Sequence, residues 1–273
     1  MAINRTIPRF EDRFSSLSEF ILRLVEFYDT GIVHSWESLE KQVVEFFHPS
    51  RMEQMEAMLP GWQKMTAYES GVTRTHVLCV FLGLYRMTEF KALDVHQQQM
   101  MKWVVLFHDL EKEVVNKKRD HFHAFRSAVT AARLLPGMGF STTHDYDQRL
   151  ESWSVFTLSA FTTLAETGQS VQDNRKIPVI LAGISQMFGD NTPAALILKT
   201  ILFHLSVDMK EWPPANPLTQ EETQRYFDRQ LLPLLKVMHL ADTDGWTLFD
   251  PLAREKLYQD TIEVFDELAR VIT

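Results

Sequence analysis

Six residues of this chain have types and positions suited to holding a divalent cation: His76, the adjacent pair His108 and Asp109, His123, His204 and Asp242. Each falls at or near the end of a segment that reads as a helix. Imidazole supplies neutral nitrogen and carboxylate supplies charge, a mixture that suits borderline or hard ions such as iron, manganese, zinc or magnesium. Four imidazoles and two carboxylates are enough for one ion or for two. An aspartate buried beside apolar helices loses its hydration unless it is paired, and coordination removes that cost.

Bland roles compete with this reading. At a helix C-terminus an imidazolium is favoured by the dipole, but the aspartate next to it is not, so capping does not account for the pair His108 and Asp109. His34, His48, His96, His121, His144 and His239 are read as structural or solvated histidines. Asp208, four residues after His204, shares its face if that helix continues, and then serves as an outer partner of the ligands; a solvent-facing cap is the alternative. Asp244 reads as a turn residue before Gly245, close enough to Asp242 to exchange roles with it. The tryptophans Trp62, Trp103, Trp153, Trp212 and Trp246 read mainly as core, with Trp212 and Trp246 bordering loops near the candidate ligands.

The elements that must position these residues are helical throughout. Gly and Pro are sparse, at 10 and 11, and no series of short alternating strands is seen. Leu17, Phe20, Ile21, Leu24 and Phe27 recur at spacings of three and four, predicting an amphipathic helix from Ser16 to Tyr28. Helices follow over Ser35 to Phe47 and Ser50 to Met58, before Pro60 and Gly61 interrupt the pattern. Residues 1–70 read as a helical extension packed on a core of residues 71–250. In that core, Thr73 to Met87 carries His76, and Asp94 caps a helix whose Met100, Trp103, Val104 and Phe107 lead into His108. After a basic loop, NKKRD, the run HFHAFRSAVTAARLL is helical up to Pro136 and Gly137. Further helices are predicted in DQRLESWSVFTLSAFTTLA, near KIPVILAGISQMF, and in TPAALILKTILFHL, where Pro193 suits the first turn. Two last helices cover Thr219 to Asp242 and Pro251 to Ile272, the latter a C-terminal element over residues 251–273. Its Leu257, Ile262, Phe265, Leu268 and Ile272 suggest either an ordinary packed face or a homodimer contact.

Composition sets outer bounds. Hydrophobic residues make up 45% of the 273 and charged residues 23%, which is ordinary globular usage. The single cysteine, Cys79, lies in the apolar run VLCVFLGL; it excludes an internal disulfide and a cysteine-based zinc site, and reads as core filler. The opening residues MAINRTIPRFEDRF break into charge too early for a secretory leader, and no apolar run approaches a membrane span, so a cytoplasmic protein without membrane contact is expected. A net charge of −8 argues against an extended nucleic-acid surface and favours small anionic partners.

The order of these residues resembles the signature of the HD-domain superfamily: a helix-borne histidine, a later His-Asp dipeptide and a distal aspartate. The resemblance runs over Thr73 to Trp246 and is carried by three local contexts. HDLEK is similar to the family's HD-[IL]-x-K, with Lys112 in the lysine position and Glu111 where glycine is frequent. HAFRSA is similar to H-x-x-x-[SG]-A and selects His123 over His121. HLADTDG is similar to the closing A-D element and selects Asp242 over Asp244. Arg74 stands two residues before His76, whereas some nucleotide-cleaving relatives carry an arginine three before.

The resemblance implies an all-α HD-domain bundle. It also implies one or two divalent ions: His76, His108, Asp109 and Asp242 on the first, His123 and His204 on the second, and Asp109 bridging. Most members are phosphohydrolases, so the expected activity is metal-dependent hydrolysis of a small phosphorylated molecule, most plainly a nucleotide, by metal-activated water. Asp109, Lys112 and Arg126 are the expected catalytic residues. Lys112, one turn beyond His108, and Arg126, one turn beyond His123, are expected to contact phosphate. Two alternatives stand beside it: a di-iron oxygenase, because a branch of the superfamily uses the same six-ligand order, and an inactive nucleotide-binding or regulatory module, which the departures at Glu111 and Arg74 leave open.

Overall fold

The apolar stripe that begins at Leu17 belongs to a 15-residue helix, Ser15–Asp29, which buries Leu17, Phe20, Ile21 and Leu24. In the computed structural model, which describes residues 7–65, 72–113, 120–163, 170–211, 214 and 216–272, it is the second of fourteen α-helices among the described residues. In chain order these are α1 Phe10–Arg13, α2 Ser15–Asp29, α3 Trp36–Phe46, α4 Pro49–Met58, α5 Val72–Arg86, α6 Thr88–Ala92 and α7 Val95–Phe107, followed by α8 His123–Leu134, α9 Tyr146–Leu158, α10 Ile177–Phe188, α11 Pro193–Phe203, α12 Gln220–Tyr226, α13 Leu231–Thr247 and α14 Pro251–Val271. The fold is all-α apart from one antiparallel pair, β1 Phe161–Thr163 with β2 Ser170–Gln172.

Helix starts follow local chemistry. Ser35 with Ser38, and Asp94 with Gln97, form reciprocal capping boxes that satisfy the first free N–H groups of α3 and α7. Thr192 caps α11, where Pro193 occupies the first turn and needs no N–H partner. The NKKRD loop lies outside the described residues except for Asp120, as does Trp212.

Helix α5 is the centre of the bundle. From Val77 to Leu82 every side chain is fully buried, because α2 and α3 cover one side while α7 and α13 cover the others. Helix α11 packs on α7, α8, α10 and α13, closing the other half. The N-terminal helices join the same continuous core: the Phe10 ring lies 5.6 Å from both Phe81 and Trp103, and the Phe10 N–H donates to Gln99 Oε1 at 2.9 Å. Burying an aromatic ring of this size contributes about 2–3 kcal/mol, enough to fix a four-residue helix that would not form alone.

Three sequence expectations differ from the structure. The helix predicted through SAFTTLA stops at Leu158, and Phe161 to Thr163 turn into β1, whose β-branched and aromatic residues suit an extended chain. Phe161 packs against Phe122 and Phe125 at 4.7 and 5.0 Å, which anchors the hairpin on α8. The segment Thr219 to Asp242 is two helices rather than one, because Asp228 accepts from the N–H groups of Gln230 and Leu231 and starts α13 afresh. Helix α13 then continues through ADTDG to Thr247, so Asp244 is a buried helical residue and not part of a turn.

Gly245 stays inside α13 for a packing reason. A Cβ there would lie 2.4 Å from His76 Cε1, and a Cβ at Gly83 would lie 2.4 Å from Asp244 Cβ. Two glycines therefore let α5 and α13 approach closely enough to bring His76 beside Asp242. Most of the apolar stripe of α14 faces inward, with Phe265 and Ile272 buried and Ile262 and Leu268 packed against the core, while Leu257 is half-buried. No helix among the described residues is long and apolar enough to cross a membrane.

Candidate metal centre

Five core helices each deliver part of one polar cluster. His76 rides in α5, His108 is the C-cap of α7 with Asp109 immediately after, His123 opens α8, His204 is the C-cap of α11, and Asp242 lies in α13. All six sequence-predicted ligands come together. They fall into two groups, His76, His108 and Asp242 in one and Asp109, His123 and His204 in the other, and within each group the ligand atoms lie within 4.8 Å of one another.

The tautomers follow from the backbone. His76 Nδ1 lies 3.1 Å from the Gly245 carbonyl oxygen, His108 Nδ1 2.8 Å from that of Val105 and His204 Nδ1 2.6 Å from that of Ile201, while His123 Nδ1 faces the Asp120 carbonyl. A carbonyl can only accept, so each imidazole carries a proton on Nδ1 and turns its Nε2 to the centre of the cluster. Such a hydrogen bond on the second nitrogen is the usual way in which a ligating ring is oriented.

The centre is crowded with electron pairs. His76 Nε2 is 2.9 Å from Asp242 Oδ1, His123 Nε2 is 2.9 Å from Asp109 Oδ1, and His123 and His204 face each other through their Nε2 atoms at 3.2 Å. Among the described residues, the buried atoms His76 Nε2, His108 Nε2, Asp109 Oδ1 and Asp242 Oδ1 have no hydrogen-bond partner outside the cluster. Polar atoms packed this way are desolvated at a cost and need protons or a cation between them, and a metal ion meets that need. The residues therefore fit a divalent ion in either group.

Asp109 links the groups. Its Oδ1 lies beside His123 while its Oδ2 lies 3.3 Å from His76 Nε2, so one carboxylate faces both sets of ligands. Burial pushes this carboxyl up, but the Lys112 ammonium, followed by the His108 and His123 rings, holds it well below the usual carboxylate range. Burial likewise raises Asp242, and the facing His108 and His76 rings overcome it, so both aspartates stay ionised. Burial, reinforced by neighbouring His123 and His108, holds His204 well below the ordinary histidine value, and burial also lowers His76 against the pull of Asp242. These shifts favour the deprotonated form that a metal requires, whereas at His108 burial is overcome by Asp109 and Asp242, which raise it. Asp242 is 24% exposed, whereas His76, His108 and Asp109 are closed off, so the cluster opens to solvent on the Asp242 side.

Lys112 and Arg126 stand at the rim in different roles. Lys112 Nζ donates to Asp109 Oδ2 at 2.6 Å and lies 5.2 Å from the Trp246 ring centre. Arg126 donates to the Glu111 carbonyl oxygen at 2.9 Å and to the Asp120 carboxylate. A phosphate contact by Arg126 would have to displace those bonds; as it stands, Arg126 fixes Asp120, whose carbonyl orients His123. Glu111, the departure from the frequent glycine, is held on α8 by Thr130 Oγ1 at 2.7 Å and by its own N–H to Ser127 Oγ at 3.1 Å. Arg74 donates to the Gln63 carbonyl oxygen at 3.4 Å.

No family model, no curated protein and no solved structure matches this chain. The likeness to HD domains thus rests on its own residues.

Sequence reasoning missed several neighbours of the cluster. Trp246, suspected only as a loop-border residue, stacks on His76 at 4.2 Å, with Trp36 from α3 stacked 6.2 Å beyond it. Asp244, two residues from Asp242, points the other way and receives Arg254 Nε and the Tyr258 hydroxyl, the latter at 2.7 Å. Asp208 is exposed beyond the end of α11 and orients no ligand. His239, read as structural, lines a cleft with His204 and Asp242. Only a contact map could have revealed these relationships, because each joins residues from separate helices or opposite faces of one helix.

Proposed function

We propose that this chain is a metal-dependent phosphohydrolase of the HD-domain type, acting on a small phosphomonoester at a two-ion centre. The observation that carries the reading is the placement of Asp109, a member of one three-residue group, beside His76 of the other, with all four imidazoles turning Nε2 inward. His76, His108 and Asp242 would hold one ion, His123 and His204 the other, with Asp109 shared.

When bound, divalent ions supply an acidified water as nucleophile and offset the charge that develops on the phosphoryl oxygens. The protein's own groups do the rest. Backbone carbonyls hold the imidazole rings in register, Arg126 and Asp120 keep His123 in place, and Trp246 packs one face of His76 away from water. Lys112, half-buried against Asp109, is the cation nearest that carboxylate and would turn to a phosphoryl oxygen or the leaving oxygen of the substrate. Hydrolysis then adds the elements of water across the P–O bond, giving an alcohol and inorganic phosphate.

The test is metal-resolved turnover. Protein stripped with chelator and reloaded with manganese, magnesium, zinc or iron should release phosphate from a panel of sugar, polyol and nucleoside monophosphates. Oxygen consumption by the iron form, without phosphate release, would move the assignment to a di-iron oxygenase. Metal and ligand binding with neither reaction would identify a regulatory module.

A further inference from the structure

Beside the cluster, a cleft runs between the end of α11, α13 and α14. His204 and Asp242 form its inner wall and His239, Thr243, Asp260 and Thr261 line the remainder, enclosing about 40 Å³. That is room for roughly three water-sized groups. Asp260 comes from α14, outside the span of the HD resemblance, and is only 7% exposed. The Glu211 N–H donates to its Oδ2 at 3.1 Å, which fixes the carboxylate, yet Oδ1 is buried with no hydrogen-bond partner among the described residues. Thr261 donates its hydroxyl proton to the Leu257 carbonyl at 2.9 Å, so its oxygen too is left as an acceptor.

An unmatched buried carboxylate oxygen calls for a donor. A third metal position does not explain it, because Asp260 belongs to neither ligand group and no third such group occurs among the described residues. An anion does not suit the cleft either, since Asp242 and Asp260 both line it and, among the described residues, no Lys or Arg does. What fits is a neutral or cationic group rich in N–H or O–H.

We infer that this cleft binds the alcohol portion of the substrate and that Asp260 is a specificity-determining residue, accepting a hydrogen bond from a hydroxyl or amino group of a phosphomonoester. The inference rests on the phosphohydrolase reading and narrows it. The phosphoryl group lies toward the ion ligands, the donor-bearing carbon chain lies along α14, and a second phosphate on that chain is disfavoured by the two carboxylates.

The experiment compares glycerol 3-phosphate, ribose 5-phosphate and ethanolamine phosphate with propyl phosphate, a monoester without donors. Binding to metal-loaded full-length protein is measured by calorimetry and phosphate release in parallel. At least one donor-bearing ester should bind tenfold or more above propyl phosphate, in line with the roughly tenfold or greater discrimination that a buried polar partner gives. Asp260→Asn keeps an oxygen for the Glu211 N–H and turns an amide donor toward the cleft, so it should collapse that ratio to within about twofold. Equal affinity of all four esters for the wild-type protein, or an unchanged ratio in the variant with its metal content retained, overturns the inference. Selective binding without phosphate release from any ester would instead sink the hydrolase reading and leave the role of Asp260 standing.

Discussion

The Nε2 atoms of His123 and His204 face each other at 3.2 Å although both rings have their Nδ1 atoms against backbone carbonyls. With both Nδ1 atoms already protonated, two nitrogens at that separation need a proton or a metal ion between them. Loading with manganese or zinc should therefore stabilise the fold by about 2.7 kcal/mol at a hundredfold excess over Kd, seen as a rise of several degrees in Tm that chelator reverses. A Tm indifferent to every divalent ion tried would count decisively against a metal centre.

The two ligand groups predict separable losses. His204→Ala should remove one ion per chain and leave the other, whereas Asp109→Ala should weaken both because its oxygens face both groups. Metal analysis of the purified variants after dialysis reads this directly. A stoichiometry of one in wild-type protein, unchanged by His204→Ala, would exclude the two-ion arrangement.

Much of the candidate ligand set was legible because His108, Asp109, His123 and His204 sit at helix ends that capping and apolar spacing mark well. Asp94, Thr192 and Pro193 announce the helices that terminate at His108 and His204, and those termini are where the ligands belong. The region after Leu158 was less legible: SAFTTLA has enough apolar content for a helix tail, and only packing of Phe161 on Phe122 and Phe125 decides for a strand. Gly245 misled for a similar reason. In sequence it signals a turn, but in the fold its missing Cβ admits the His76 ring. Asp244 and Asp260 gained their meaning from partners on other turns and loops, which periodicity does not encode.

Arg126 acts on His123 through Asp120, and its replacement should be felt as metal affinity. Arg126→Met should weaken the ion held by His123 and His204 by about 10–100-fold, the range for lost groups behind a ligand. Arg126→Lys should recover part of that loss, and the other ion should be retained. A fall in turnover with both metal affinities intact would assign Arg126 to the substrate instead.

Asp244 is fully buried and relies on Arg254 and Tyr258. Arg254→Met leaves that carboxylate without its cation, and because Arg254 is 35% exposed the expected cost is about 2–3 kcal/mol, below that of a wholly enclosed pair. Adding Asp244→Asn should return part of the loss in urea unfolding. An additive double variant would show that the two side chains do not communicate.

At the N-terminus, Glu11 accepts from Gln99 Nε2 at 3.0 Å and from Lys102, latching α1 to α7. Burial pushes its carboxyl up, but the Lys102 and Gln99 contacts prevail and leave it below the ordinary 4.5. A depressed carboxyl stabilises above its unfolded value and loses that contribution as pH falls through the folded one. Glu11→Gln should thus be less stable than wild type by about 1 kcal/mol at pH 7, and the gap should close below pH 4.5. A gap constant from pH 7 to 3 would show that charge plays no part.

Three of the four imidazoles bond to the carbonyl three residues before them in their own chain: His108 to Val105, His123 to Asp120 and His204 to Ile201. Each ring is splinted by main chain that no side-chain substitution deletes, so ring orientation is inherited with the helix end itself. Such a centre tolerates drift in the residues around it as long as the helix termini keep their positions, and it can persist in chains whose remaining sequence has diverged beyond recognition.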